Sequence, residues 1–120
     1  MPCAQNAAGL NKTWKVTVSG ATVRAPRYVH GQTRLADWSA TLRAAPAPWA
    51  ELQTDNFVLT LPSAAVRGLA DPGPLMARWK AVLDAEGDLA GVKRPRARRE
   101  RMVLDVDISA GWMHSGYPVS

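Results

Sequence analysis

The chain alternates between stretches with a two-residue hydrophobic period and stretches in which apolar positions return every three or four residues, so both strands and helices are expected. Residues 13–19, "TWKVTVS", set Trp14, Val16 and Val18 against Lys15, Thr17 and Ser19, the pattern of a half-buried strand that Gly20 would close. A second extended piece, "TVRAPRYVHG", ends at Gly31, and its Pro26 lacks an amide donor, which predicts an edge, bulge or bend. Thr33 is expected to cap a helix over 34–44, with Asp37 in its early turns and Leu35, Trp38 and Leu42 as the buried stripe. Pro46 and Pro48 forbid its continuation.

"PWAELQTDNFVLTLPS" predicts two short extended stretches around an Asp55-Asn56 turn. The second has apolar residues on both faces, as in a strand covered by helices. Ser63 opens a single helical turn through Val66, and Asp71-Pro72 is a start signal for a helix over 72–89. Leu75, Trp79, Val82, Leu83 and Leu89 form its expected stripe, with Gly87 weakening the last turn and Gly91 stopping it. A late strand is predicted near 101–109, where Met102, Leu104, Val106 and Ile108 alternate with Val103, Asp105 and Asp107. The final twelve residues are turn-prone. These elements predict a mixed α/β (α+β) fold with mostly antiparallel strands and two main amphipathic helices. Residues 1–12 are expected to be a frayed or disordered terminus, and 13–120 to form one domain portion.

Composition narrows the functional classes. A chain of 120 residues with 47% hydrophobic and 21% charged side chains is globular in make-up, and no stretch approaches ~18 uninterrupted apolar residues. Fifteen Lys and Arg against ten Asp and Glu give a net charge of +5, which admits an anionic partner. The lone Cys3 excludes an internal disulfide and any Cys-rich zinc site. No secretory signal is visible, because Gln5, Asn6 and Asn11 interrupt the place where its apolar core would lie.

Three constellations have both a chemical and a structural meaning. Asp105, Asp107 and His114 place two carboxylates on one strand face near an imidazole, a possible metal set. A solvated strand face plus a loop histidine is favoured over it, since no fourth ligand is evident. Six of the nine residues from Lys93 to Arg101 are cationic, fit for phosphate contacts or for a solvated loop. No aromatic residue interleaves them, so a solvated loop is favoured over nucleic acid as a partner. Of five tryptophans, Trp14, Trp38 and Trp79 fall on faces expected to be buried, whereas Trp49 and Trp112 stand in Pro- or Gly-rich turns where an aromatic platform for a sugar or peptide is conceivable.

The order of segments resembles a known family. "VTVSGATVRAPRYVHGQT", "ADW", "APAPWAELQTDNFVLTLPSAAVRGL", "DPGPLMARWKAVLDAEGDLAG" and "RMVLDVDISAGWMHSGYPV" are similar, in that order, to the N-terminal part of the peptidase domain of enhancin-like zinc metallopeptidases, family sixty of the metallopeptidases. "PWAEL", "LTLPS" and above all "DISAGWMHSGYPV" are the most specific pieces. The resemblance implies zinc-dependent cleavage of mucins and other glycoproteins, a secreted or cell-surface location, and a zinc helix with two His at i and i+4 and a Glu base. That helix follows the "HSGYP" segment in the family order, and no such motif occurs in these 120 residues. The chain is therefore expected to be a fragment without a catalytic residue, inactive alone and without a cofactor of its own. It would leave an apolar face open to self-association.

The resemblance also implies substrate-side contacts from Trp112, His114, Ser115, Gly116 and Tyr117, with the alternative that they only shape the turn into the zinc helix. Two other functions stay open: a non-catalytic glycoprotein- or carbohydrate-binding module, and a basic nucleic-acid-binding module.

Overall fold

The computed structural model describes residues 15–92 and 98–105. Its local nucleus is a hairpin. Trp49–Gln53 (β2) and Phe57–Pro62 (β3) pair antiparallel with Leu52 opposite Leu59, joined by the expected Asp55-Asn56 turn. Thr54 builds that turn: its Oγ1 accepts the amide hydrogens of Asn56 at 3.3 Å and Phe57 at 2.9 Å and donates to Asn56 Oδ1 at 2.7 Å. Arg27–Val29 (β1) adds parallel to β2, and Glu100–Val103 (β4) adds parallel to β3, giving the order β1-β2-β3-β4.

The mixed α/β class expected from the sequence is what forms, but the sheet is not mostly antiparallel. Two of its three ladders are parallel. Parallel neighbours require a long crossover, and the amphipathic segments supply it. Leu35–Ala40 (α1), followed by a 3-10 turn over Leu42–Ala44, carries the chain from β1 to β2. Ser63–Val66 (α2) and Gly73–Leu89 (α3) lie between β3 and β4.

All three helices contribute to one side of the sheet. Tyr28, Ala50, Leu52, Phe57, Leu59 and Leu61 form a single buried cluster with Trp38 of α1, Val66 of α2 and Met76 and Leu83 of α3, while Trp79 and Met102 pack against its margin. Trp79 stacks on Phe57 with ring centroids 4.9 Å apart. Because side chains alternate across a strand, the register sends Arg27, Glu51, Gln53, Val58, Thr60 and Arg101 to the opposite face.

Several local expectations change. Residues 15–19 of the expected strand over 13–19 are not a strand, and Val16 and Val18 are 83% and 79% exposed; alternation alone supplied no partner edge. Thr33 caps no helix, because its Oγ1 accepts the Val29 amide at 2.9 Å and closes the turn after β1. α1 keeps Trp38 as its one buried residue, and Leu35 is exposed. On α3 the buried line is Met76, Leu83 and Gly87, with Leu75, Val82 and Leu89 exposed, so the helix is rotated from the expected stripe. Asp71 does act at its start, but its Oδ1 accepts the Gly73 amide at 2.7 Å while Pro72 occupies the capping position. Trp49 is the first residue of β2 and not part of a turn. β4 begins one residue earlier than expected, and positions 106–109 of the predicted strand lie outside the described residues.

Candidate functional site

The face of the sheet opposite the helices carries a continuous polar strip built from four strands. β2 contributes Glu51 and Gln53, β3 contributes Thr60, β1 contributes Arg27, and β4 contributes Arg101 with Arg99 just before it. Arg101 Nη1 donates to Glu51 Oε1 and to Thr60 Oγ1, each at 2.7 Å, clamping β4 to β2 across β3. Gln53 is the hub. Its Nε2 donates to Glu51 Oε2 at 2.7 Å, and its Oε1 accepts from Arg27 Nη2 at 3.1 Å and Arg99 Nη1 at 3.4 Å.

Gln53 is only 6% exposed, so these bonds satisfy an amide that would otherwise be costly to bury. Burial of Glu51 disfavours its ionised form, but bonding and attraction from Arg101, the Gln53 amide and the charge of Arg27 outweigh it and hold the carboxyl below its ordinary value. Three guanidinium groups around one carboxylate leave the strip positive.

A second polar cluster closes the end of the sheet where β1 and β2 finish and β3 begins. Asn56 Nδ2 donates to Asp84 Oδ1 at 2.8 Å and to the Lys80 carbonyl at 3.3 Å, tying the hairpin turn to α3. Lys80 Nζ contacts Asp55 at 2.8 and 2.9 Å and Asp84 at 3.2 Å. The Lys80 bond lowers the Asp55 carboxyl, and the Asp55 bond raises the Lys80 ammonium, from their ordinary values. Between this cluster and the turn after β1 lies a cavity of about 300 Å³ lined by His30, Gln32, Thr54, Asp55, Lys80 and Arg99, among others.

These arrangements bind and position; none of them resembles a nucleophile with its base. Among the described residues, no group of three or more His, Cys, Asp and Glu is placed to hold a metal ion, so no residue here fits the zinc that the resemblance implies. Also among them, no helix is long and apolar enough to cross a membrane. Trp112, His114, Ser115, Gly116 and Tyr117, the candidate substrate contacts, lie outside the described residues, as do Asp107 and residues 93–97 of the basic run. Asp105 is the one described member of the Asp105, Asp107, His114 set.

Sequence reasoning did not single out Glu51, Gln53, Arg27 and Arg101. Their alternation within "RYV", "WAELQ" and "ERMV" is visible, but the register that makes them neighbours is not.

Comparison with known proteins agrees with this architecture. The family model described as Peptidase M60, enhancin and enhancin-like matches residues 21–120. TRPM8 channel-associated factor 2 of Bos taurus is 49% identical over 104 residues, covering 87% of this chain and 11% of its own length. The TRPM8 channel-associated factor homolog of Xenopus laevis is 50% identical over 95 residues, covering 79% of this chain and 10% of its own. The chain thus spans about a tenth of the length of these curated relatives.

A solved structure of a functionally unknown conserved protein mutant from Bacillus anthracis str. Ames superposes with a TM-score of 0.56 at 20% identity, over 65% of this chain and 18% of that one, a likeness of fold alone. With the family model matching from before β1 to residue 120, the chain belongs to the Peptidase M60, enhancin and enhancin-like family.

Proposed function

We propose that this chain supplies the sheet-side wall of the substrate cleft in a zinc-dependent peptidase domain that acts on glycosylated proteins. The observation that carries the proposal is continuity. The family match runs through β4 and on over "DISAGWMHSGYPV", so the clamped strand leads directly into the segment that holds Trp112, His114, Ser115, Gly116 and Tyr117. In this reading Arg101, anchored on Glu51 and Thr60, fixes the height of β4, and the residues from Trp112 to Tyr117 supply the substrate-side contacts. Water activation belongs to metal-holding residues that this sequence does not contain, since its only histidines are His30 and His114.

The test compares the whole peptidase domain with and without Trp112→Ala and Tyr117→Ala. Expected is a loss of about tenfold in kcat/KM on a mucin-type substrate, with bound zinc unchanged. Stoichiometric zinc and chelator-sensitive cleavage by the 120-residue chain alone would overturn the division of labour.

A second reading rests on the relatives' names. Proteins 45–50% identical to this chain are called TRPM8 channel-associated factors, which supports a docking role toward a channel in place of proteolysis. Retention of a TRPM8-type channel on immobilised chain, lost when Arg101 and Arg27 are replaced by Gln, would favour that role.

A further inference from the structure

His30 poses a problem the polar strip does not explain. It sits in the turn after β1, where its amide donates to the Gln53 carbonyl at 2.8 Å, and Gly31 at φ +77° lets the chain reverse beside it. Its imidazole Nδ1 is buried and meets no hydrogen-bond partner, the one side-chain atom in that condition among the described residues. An orphaned polar atom of this kind destabilises the fold unless something outside the chain completes it. His30 lines the cavity of about 300 Å³ at the end of the sheet, at the small end of the range that holds ligands.

The rest of the lining limits what that group is. Lys80, Arg99 and Asp55 are its charged residues, two cations against one carboxylate. Both oxygens of Asp55 are already taken by Lys80, at 2.8 and 2.9 Å, and Asp84 takes Lys80 at 3.2 Å, so the carboxylates have little to offer a cation. Arg99 is the reverse case. Its one side-chain bond to a described residue is the long 3.4 Å contact with Gln53, so most of its donors remain unused.

We propose that this cavity is a binding site for a small oxyanion, held between the Nδ1–H of His30 and the guanidinium of Arg99. None of its lining residues belongs to the segment assigned to the substrate cleft, and the proposal stands whether or not the parent domain is proteolytic.

The experiment titrates the isotopically labelled 120-residue chain with sodium phosphate, sodium sulfate and sodium acetate in separate arms, against sodium chloride at matched ionic strength, following the His30 imidazole resonances by NMR. Expected is a saturable shift in at least one oxyanion arm and none with chloride. The phosphate and sulfate arms against the acetate arm tell a tetrahedral from a planar ligand. Arg99→Gln, followed at the His30 imidazole, and His30→Ala, followed at the backbone amides of Gly31 and Arg99, should each weaken binding about tenfold or more, while Arg24→Gln, outside the cavity lining, leaves it unchanged. Unfolding midpoints of the variants establish that the fold is retained. A shift that follows ionic strength alone, saturation unaffected by Arg99→Gln, or an Nδ1 that exchanges only with water in every arm would each overturn the proposal.

Discussion

Trp38 meets two requirements at once: its ring stands edge-on to Tyr28 with centroids 5.7 Å apart, and its Nε1 donates to the Leu69 carbonyl at 2.8 Å. Trp38→Phe keeps an aromatic ring but leaves that carbonyl without its donor and a void beside it, so a loss of about 2 kcal/mol is expected in urea unfolding. Glu51 is sensitive in a different way. Its folded carboxyl lies below its ordinary value of 4.5, so the unfolded chain takes up the proton first on acidification. The stabilisation is therefore complete above about pH 4.5 and lost as pH falls through the lower folded value. Denaturant titrations from neutral pH into that acid range should show a steeper loss for the native chain than for Glu51→Gln.

At the scale of the element, α3 illustrates how a helix start divides its labour. Asp71 Oδ1 holds the Gly73 amide at 2.7 Å, and a Cβ on Gly73 would come within 2.9 Å of that oxygen. Asp71→Ala should cost about 1 kcal/mol in thermal unfolding. Gly73→Ala should forfeit the gain of about 1 kcal/mol that alanine normally brings to a helix, because the new methyl displaces the same carboxylate.

The β2–β3 hairpin and the single turn of α2 were legible because period, turn residues and start signal all fall within sixteen contiguous positions, 48–63. The buried line of α3 was not: Leu75 and Met76 both begin a stripe compatible with helical spacing, and only the sheet beneath decides between them. The polar strip was hidden for a related reason, since Glu51 and Arg101 meet across fifty positions of chain.

At the scale of the molecule, the described fold has one face under helices, one charged face, and an outer surface of α3 that exposes Leu75, Val82 and Leu89. The sequence-based expectation of self-association can be tested there, where Val82 is 49% and Leu89 91% exposed. Sedimentation should detect concentration-dependent association of the native chain, and Val82→Lys with Leu89→Lys should suppress it without lowering the unfolding midpoint.

The two parallel ladders also constrain how the molecule comes into being. Only β2 and β3 are close enough along the chain to find each other quickly; β1 and β4 must wait for the long excursions through α1 and through α2–α3 to close. Weakening the hairpin, for instance by Thr54→Ala, should slow folding, whereas weakening the Arg101 clamp should chiefly hasten unfolding in stopped-flow measurements. β4, at the end of the longer excursion, would thus be the last strand to arrive and the first to leave.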